Sequence, residues 1–183
     1  MPATTRPRSG RPQDGEFADY AKSDIDFVEG DDAVEALAAQ ERTTVALLEP
    51  LGEAKVAGLT YAPGKWTLKE VVGHLADDER IFAYRVLCVA RDEPLALPGF
   101  DEKLYVAKAG FEGRSLRDLL GEYRSVRDAT LSLLSGLPSE AWLRRGEVNG
   151  YSATVRGLAF HVAGHELHHV RLLRERYLPL LRS

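Results

Sequence analysis

Apolar positions recur every three or four residues in four stretches of the chain, the spacing of a helix that buries one face. The first covers residues 31–48, with Val34, Leu37, Ala38, Val45 and Leu48 as its stripe; acidic residues open it and Pro50 closes it. The second starts at Thr67, where Thr67-Leu68-Lys69-Glu70 spells a capping box, and its apolar face is Val71, Leu75, Ile81, Phe82 and Val86. The third begins at Ser115, with Asp118 three residues on, and stops at Gly136-Leu137-Pro138. The fourth runs from Ser152 or Thr154 to Tyr177, ahead of Pro179. No alternating run bounded by hairpin turns stands out, so no strand is expected. The pattern therefore predicts an all-α four-helix bundle. The connection over residues 92–114 is long for a plain link, which favours a functional role, and a short helix is expected within it at 101–108. Residues 1–17, rich in Pro, Gly, Ser and Thr, read as a flexible N-terminal tail, and 18–183 as a single domain.

The fourth helix carries His161, His165, His168 and His169, four of the five histidines. At about 100° per residue, His165 and His169 fall inside its apolar stripe, His161 at the edge and His168 further out. On the second helix, His74 sits between Val71 and Leu75, with Asp77 and Asp78 one turn on. Imidazoles in an apolar core need partners for their ring nitrogens, and a buried unmet polar group costs about 1–3 kcal/mol. One metal ion satisfies three at once. Side chains at i and i+4 lie one above the other, so His165 and His169 converge, and His74 completes the set from a second helix. Three protein ligands leave open positions for water or substrate, the mark of a reactive site. Asp77 and Asp78 are candidates to orient a ligand or a bound water, and Asp101 and Glu102 to border the mouth.

His165-Glu166-Leu167-His168-His169 also spells H-E-x-x-H, the zinc-protease pattern. Its extended form needs glycine and histidine where Leu172 and Glu175 stand. Glu175 is the sole acid among the fourteen residues after His169, so a zinc protease is disfavoured.

Composition narrows the setting. A net charge of −4 argues against a dedicated nucleic-acid binder. No apolar run approaches the roughly 18 residues of a membrane span. The lone Cys88 cannot form an internal disulfide, which suits a reducing cytoplasmic compartment.

The stretches "YAPGKWTLKEVVGHLADDERIFAYRVL", "LPGFDEKLYV" and "AGHELHHVRLLRERYL" resemble the DinB/YfiT-like superfamily, over roughly residues 20–177. The W-x₇-H segment from Trp66 to His74 and the terminal H-x₃-H are its most specific parts. The resemblance implies an up-down-down-up bundle, homodimers, and three histidine ligands at the positions of His74, His165 and His169. It implies a divalent metal, most often nickel or zinc. It further implies either a thiol S-transferase using a low-molecular-weight thiol such as mycothiol, bacillithiol or glutathione, or a metal-dependent hydrolase, acting on a small-molecule substrate. A non-enzymatic, metal-stabilised stress-response bundle is the alternative.

Overall fold

The computed structural model describes residues 8–181. Helix α1 spans Lys22–Asp26, α2 Ala33–Leu48, α3 Glu53–Val56, α4 Leu68–Ala90, α5 Glu102–Ala109, α6 Leu116–Ser135 and α7 Val155–Leu172. A single π turn, Leu173–Tyr177, extends α7. The four long helices are the four expected, and each begins where a side chain takes up orphan N–H groups. Asp32 accepts from Val34 N at 3.0 Å and Glu35 N at 3.3 Å. Thr67 and Glu70 close the capping box, with Thr67 N donating to Glu70 Oε2 at 2.7 Å. Ser115 accepts from Asp118 N, and Thr154 from Gly157 N.

Helix α4 packs on α6 and α7, and α2 packs on the same two, so the order around the bundle is α2, α7, α4, α6. One apolar cluster fills the bundle around Leu37, Phe82, Leu134, Trp142 and Phe160. A second, around Leu48, Leu68, Leu119 and Tyr177, fills the other end. No described helix is long and apolar enough to cross a membrane.

Two expectations need correcting. A hairpin does form: β1, Arg145–Val148, pairs antiparallel with β2, Tyr151–Thr154. Its turn is Asn149-Gly150, with φ of 51° and 80°, the left-handed pair that a two-residue hairpin turn needs. The strands are four residues each, too short for an alternating pattern to register, and Ser152 belongs to a strand rather than to the last helix. Leu97 N donates to Glu147 O at 2.9 Å and Asn149 N to Leu97 O at 2.8 Å, which ties the long 92–114 connection to this hairpin.

The second correction concerns the tail. Residues 1–7 of the segment read as flexible lie outside the described residues, but residues 8–17 are docked on the bundle. Arg11 donates to Val28 O and Ile25 O, and Ser9 Oγ accepts from Ala33 N at 3.0 Å. Buried Glu16 accepts from Arg156 Nε at 2.6 Å and Nη2 at 2.7 Å. Two glycines on α7 make room. A Cβ at Gly157 would stand 1.9 Å from Glu16 O, and one at Gly164 would stand 2.6 Å from Asp24 C. The missing side chains let the N-terminal segment and α1 lie on the backbone of α7, which carries Tyr20 and Asp24 to the rim of the histidine cavity.

Candidate metal centre

His74 comes from the second turn of α4, and His165 and His169 from successive turns of α7. Close packing of α4 on α7 brings the three together. His165 Nε2 lies 3.1 Å from His74 Nε2 and 3.1 Å from His169 Nε2. One ligand nitrogen from each ring falls within 4.8 Å of the others.

Burial holds His74 down at about 4. Burial first, then His74 and His168, holds His169 at about 3. His165 is also well below the ordinary imidazole range, by burial and then by its neighbouring imidazoles. All three rings are therefore neutral at pH 7, with a lone pair each.

Asp78 lies one turn after His74 on α4, and its Oδ2 stands 3.2 Å from His165 Nδ1. The contact is near but off the N–H direction, and Oδ2 is left without a hydrogen bond. Burial pushes the Asp78 carboxyl up to about 8, against the pull of Arg85. A proton on His165 Nδ1, on the carboxylate side, leaves Nε2 as a bare lone pair facing two more ring nitrogens. Buried His169 Nδ1 has no partner among the described residues.

Hydrogen bonds cannot serve this cluster well, because a ring nitrogen offers one N–H or one lone pair, not several. A cation at the shared point serves all three. Nitrogens at about 2.0–2.1 Å from a tetrahedral zinc stand roughly 3.3–3.4 Å apart, close to the two 3.1 Å separations that His165 makes. The residues present fit a divalent ion.

The nitrogens open on a cavity of about 370 Å³. Trp66 forms one wall, with its ring 4.7 Å from that of His74. Phe82 stacks on His161 at 4.0 Å, and His161 in turn lies parallel to His165 at 6.0 Å. Buried His161 therefore lines the cavity without joining the cluster. Exposed His168 pairs with Asp24 at the rim, Nδ1 to Oδ1 3.2 Å.

The candidate acids separate. Asp78 belongs to the centre. Asp77 points away and pairs with Arg80 at 3.3 Å. Asp101 is the N-cap of α5, accepting from Lys103 N and Leu104 N at 3.0 Å each. Glu102 lines the cavity mouth, as does Phe100 beside it. Sequence reasoning missed Arg85, which also lines the cavity; an arginine on an apolar stripe was the available signal.

Glu166, the acid of H-E-x-x-H, faces the opposite way and is 2% exposed. Thr44 Oγ1 donates to its Oε1 at 2.5 Å and Tyr123 OH to the same oxygen at 2.7 Å. Arg127 Nη2 donates to Oε2 at 2.5 Å and also holds Glu79. A glutamate so engaged is a core ion-pair partner and is not placed to act as a protease base.

The fold and this centre define a helical bundle with three histidines set on a cavity wall. The chain belongs to the DinB superfamily, whose family model matches residues 36–173, as the motifs around His74 and His169 implied. Among solved structures it is similar to YfiT from Bacillus subtilis, described as "a probable metal-dependent hydrolase with an unusual four-helix bundle topology". The two share 19% identity over 89% of this chain and 91% of that one, with a TM-score of 0.60. No curated protein matches the chain.

Proposed function

We propose that the protein is a metal-dependent enzyme in which His74, His165 and His169 hold one divalent ion, zinc or nickel, beside a cavity that takes a small-molecule substrate. Bound there, such an ion supplies Lewis acidity, lowering the pKa of a water or thiol toward neutrality. The chain's own groups prepare the site. Burial keeps the three imidazoles unprotonated. Asp78 stands 3.2 Å from His165 Nδ1, the side on which a ring proton would leave Nε2 free. Trp66 packs on the His74 ring and Phe82 on that of His161, giving the cavity apolar walls beside the cluster. The observation that carries the reading is the pair of 3.1 Å approaches among Nε2 atoms from two helices.

Two chemistries suit such a centre. Hydrolysis is supported by the description of the similar Bacillus subtilis protein. Transfer of a low-molecular-weight thiol is supported by the motif resemblance, and a cytoplasmic setting would supply the thiol. The test loads the protein with zinc or nickel. It then screens bacillithiol, mycothiol and glutathione with monochlorobimane, alongside a panel of simple esters and amides. Turnover that disappears in a folded His165→Ala variant is expected. No turnover with any thiol or ester would favour a metal-stabilised bundle without enzymatic activity.

A further inference from the structure

Arg85 lines the same cavity as the three histidines and is 3% exposed. It sits on α4 with His74, about three turns further along the helix. Its Nη2 donates to Pro98 O at 2.8 Å. Its guanidinium carbon lies 4.6 Å from the centre of the Phe82 ring and 5.8 Å from that of Phe100. These contacts fix the plane of the group.

Charge is what the contacts leave unanswered. Among the described residues no carboxylate stands within ion-pair distance of Arg85, although Asp78 and Glu102 line the same cavity. Arg127, the other deeply buried arginine of the bundle, has Glu79 and Glu166. A guanidinium carries five N–H donors in a fork that matches a carboxylate. Here one backbone oxygen accepts from Nη2, and Nε and Nη1 have no protein acceptor among the described residues. Buried charges are paired in folded proteins because desolvating a lone one is costly. The missing counter-ion is therefore expected to come from outside the chain.

We infer that Arg85 is the anchor for a carboxylate on the small-molecule substrate. The inference rests on the reading of this cavity as the reaction site, and it names the class of molecule the site takes. A single guanidinium offsets one negative charge, which favours a monocarboxylate over a phosphate dianion. Phe82, Phe100 and Trp66 supply apolar walls for the body of the molecule. A ligand held by its carboxylate at Arg85 extends from there toward the histidine nitrogens.

The test is calorimetric titration of the metal-free protein with benzoate and with benzamide, which has the same shape without the charge. Wild type is expected to bind benzoate roughly tenfold or more tighter than benzamide. Arg85→Met is expected to lose that preference while keeping its affinity for benzamide. Arg85→Lys keeps the charge but not the fork, and is expected to lose part of the preference; it also serves if the methionine variant does not fold. Equal binding of the two ligands by wild type, no binding of either, or an unchanged preference in both variants overturns the assignment. Zinc stoichiometry is measured on the same samples. Loss of zinc binding by wild type would sink the metal reading, and the benzoate comparison, made without metal, would still decide the role of Arg85.

Discussion

Glu166 Oε2 lies 2.5 Å from Arg127 Nη2, in the middle of the bundle, while the ring of the preceding residue, His165, reaches the cavity. One step of about 100° along the helix separates a core ion pair from a candidate metal ligand. Removing one partner of a buried ion pair costs about 3–5 kcal/mol, because the other charge is left unpaired. Glu166→Gln is therefore expected to lower the urea midpoint by a few kcal/mol equivalent, while zinc affinity of the folded variant changes by less than about threefold. A variant of full stability with no activity would instead restore Glu166 as a catalytic base.

In the proposed metal centre Asp78 acts through His165, whose Nδ1 lies 3.2 Å from its Oδ2. Groups that orient a ligand imidazole typically contribute about 10- to 100-fold in metal affinity. Asp78→Asn is expected to weaken zinc binding within that range, read by competition against a chromophoric chelator. Asp77→Asn, altering a carboxylate paired to Arg80 outside the cavity, is expected to leave zinc affinity unchanged.

The pH dependence of the metal-free protein follows from two opposed sets of groups. Burial above all holds His74, His161, His165 and His169 below the unperturbed 6.5. As pH falls below 6.5 the unfolded chain takes up protons that the folded chain refuses, so stability is lost toward acid. At pH 5 His74, with a folded value of about 4, and His161 and His169, with folded values of about 3, each contribute a loss of about 2 kcal/mol, and His165 acts in the same direction. Asp78 works the other way. Its folded value of about 8 lies above its unperturbed 3.8, so the folded chain binds this proton more readily and stability rises as pH falls through 8. Below 6.5 four imidazoles outweigh one carboxyl. Urea midpoints measured in chelator are expected to peak near neutrality and to fall clearly by pH 5. A midpoint that rises steadily from pH 7 to 5 would contradict the burial of these rings.

The close approach of α1 to α7 depends on Gly164, where an added Cβ would meet the backbone of Asp24 and Ile25. Backbone cannot move aside as a flexible side chain can. Gly164→Ala is expected to cost about 1–3 kcal/mol and to speed proteolysis of the N-terminal segment. Unchanged or increased stability, as helix propensity alone would give, would show that the segment does not dock as described.

Much of this architecture was readable in the chain. Thr67 to Glu70 and Ser115 to Asp118 mark two helix starts through local hydrogen bonds, and local chemistry is what sequence reports best. The spacing of His74, His165 and His169 within apolar stripes likewise predicted their meeting. Asp101, expected to border the mouth, instead caps a short helix, and its place just before that helix is the signal of a cap. The hairpin at Asn149-Gly150 was not read from the chain, because its strands of four residues give too little alternating pattern. The docking of residues 8–17 was not legible, because it rests on Glu16 meeting Arg156 and on space left by Gly157, partners about 140 positions apart. Which way Glu166 and Arg85 face was decided by their distant neighbours in the same manner.

The central claim is that imidazoles from α4 and α7 grip one ion. Diffraction from crystals of the zinc-loaded, tag-free protein, collected on both sides of the zinc absorption edge, tests it most directly. The account predicts an anomalous peak about 2.0–2.1 Å from the Nε2 atoms of His74, His165 and His169. Zinc found only at surface carboxylates, with that position empty, would contradict it.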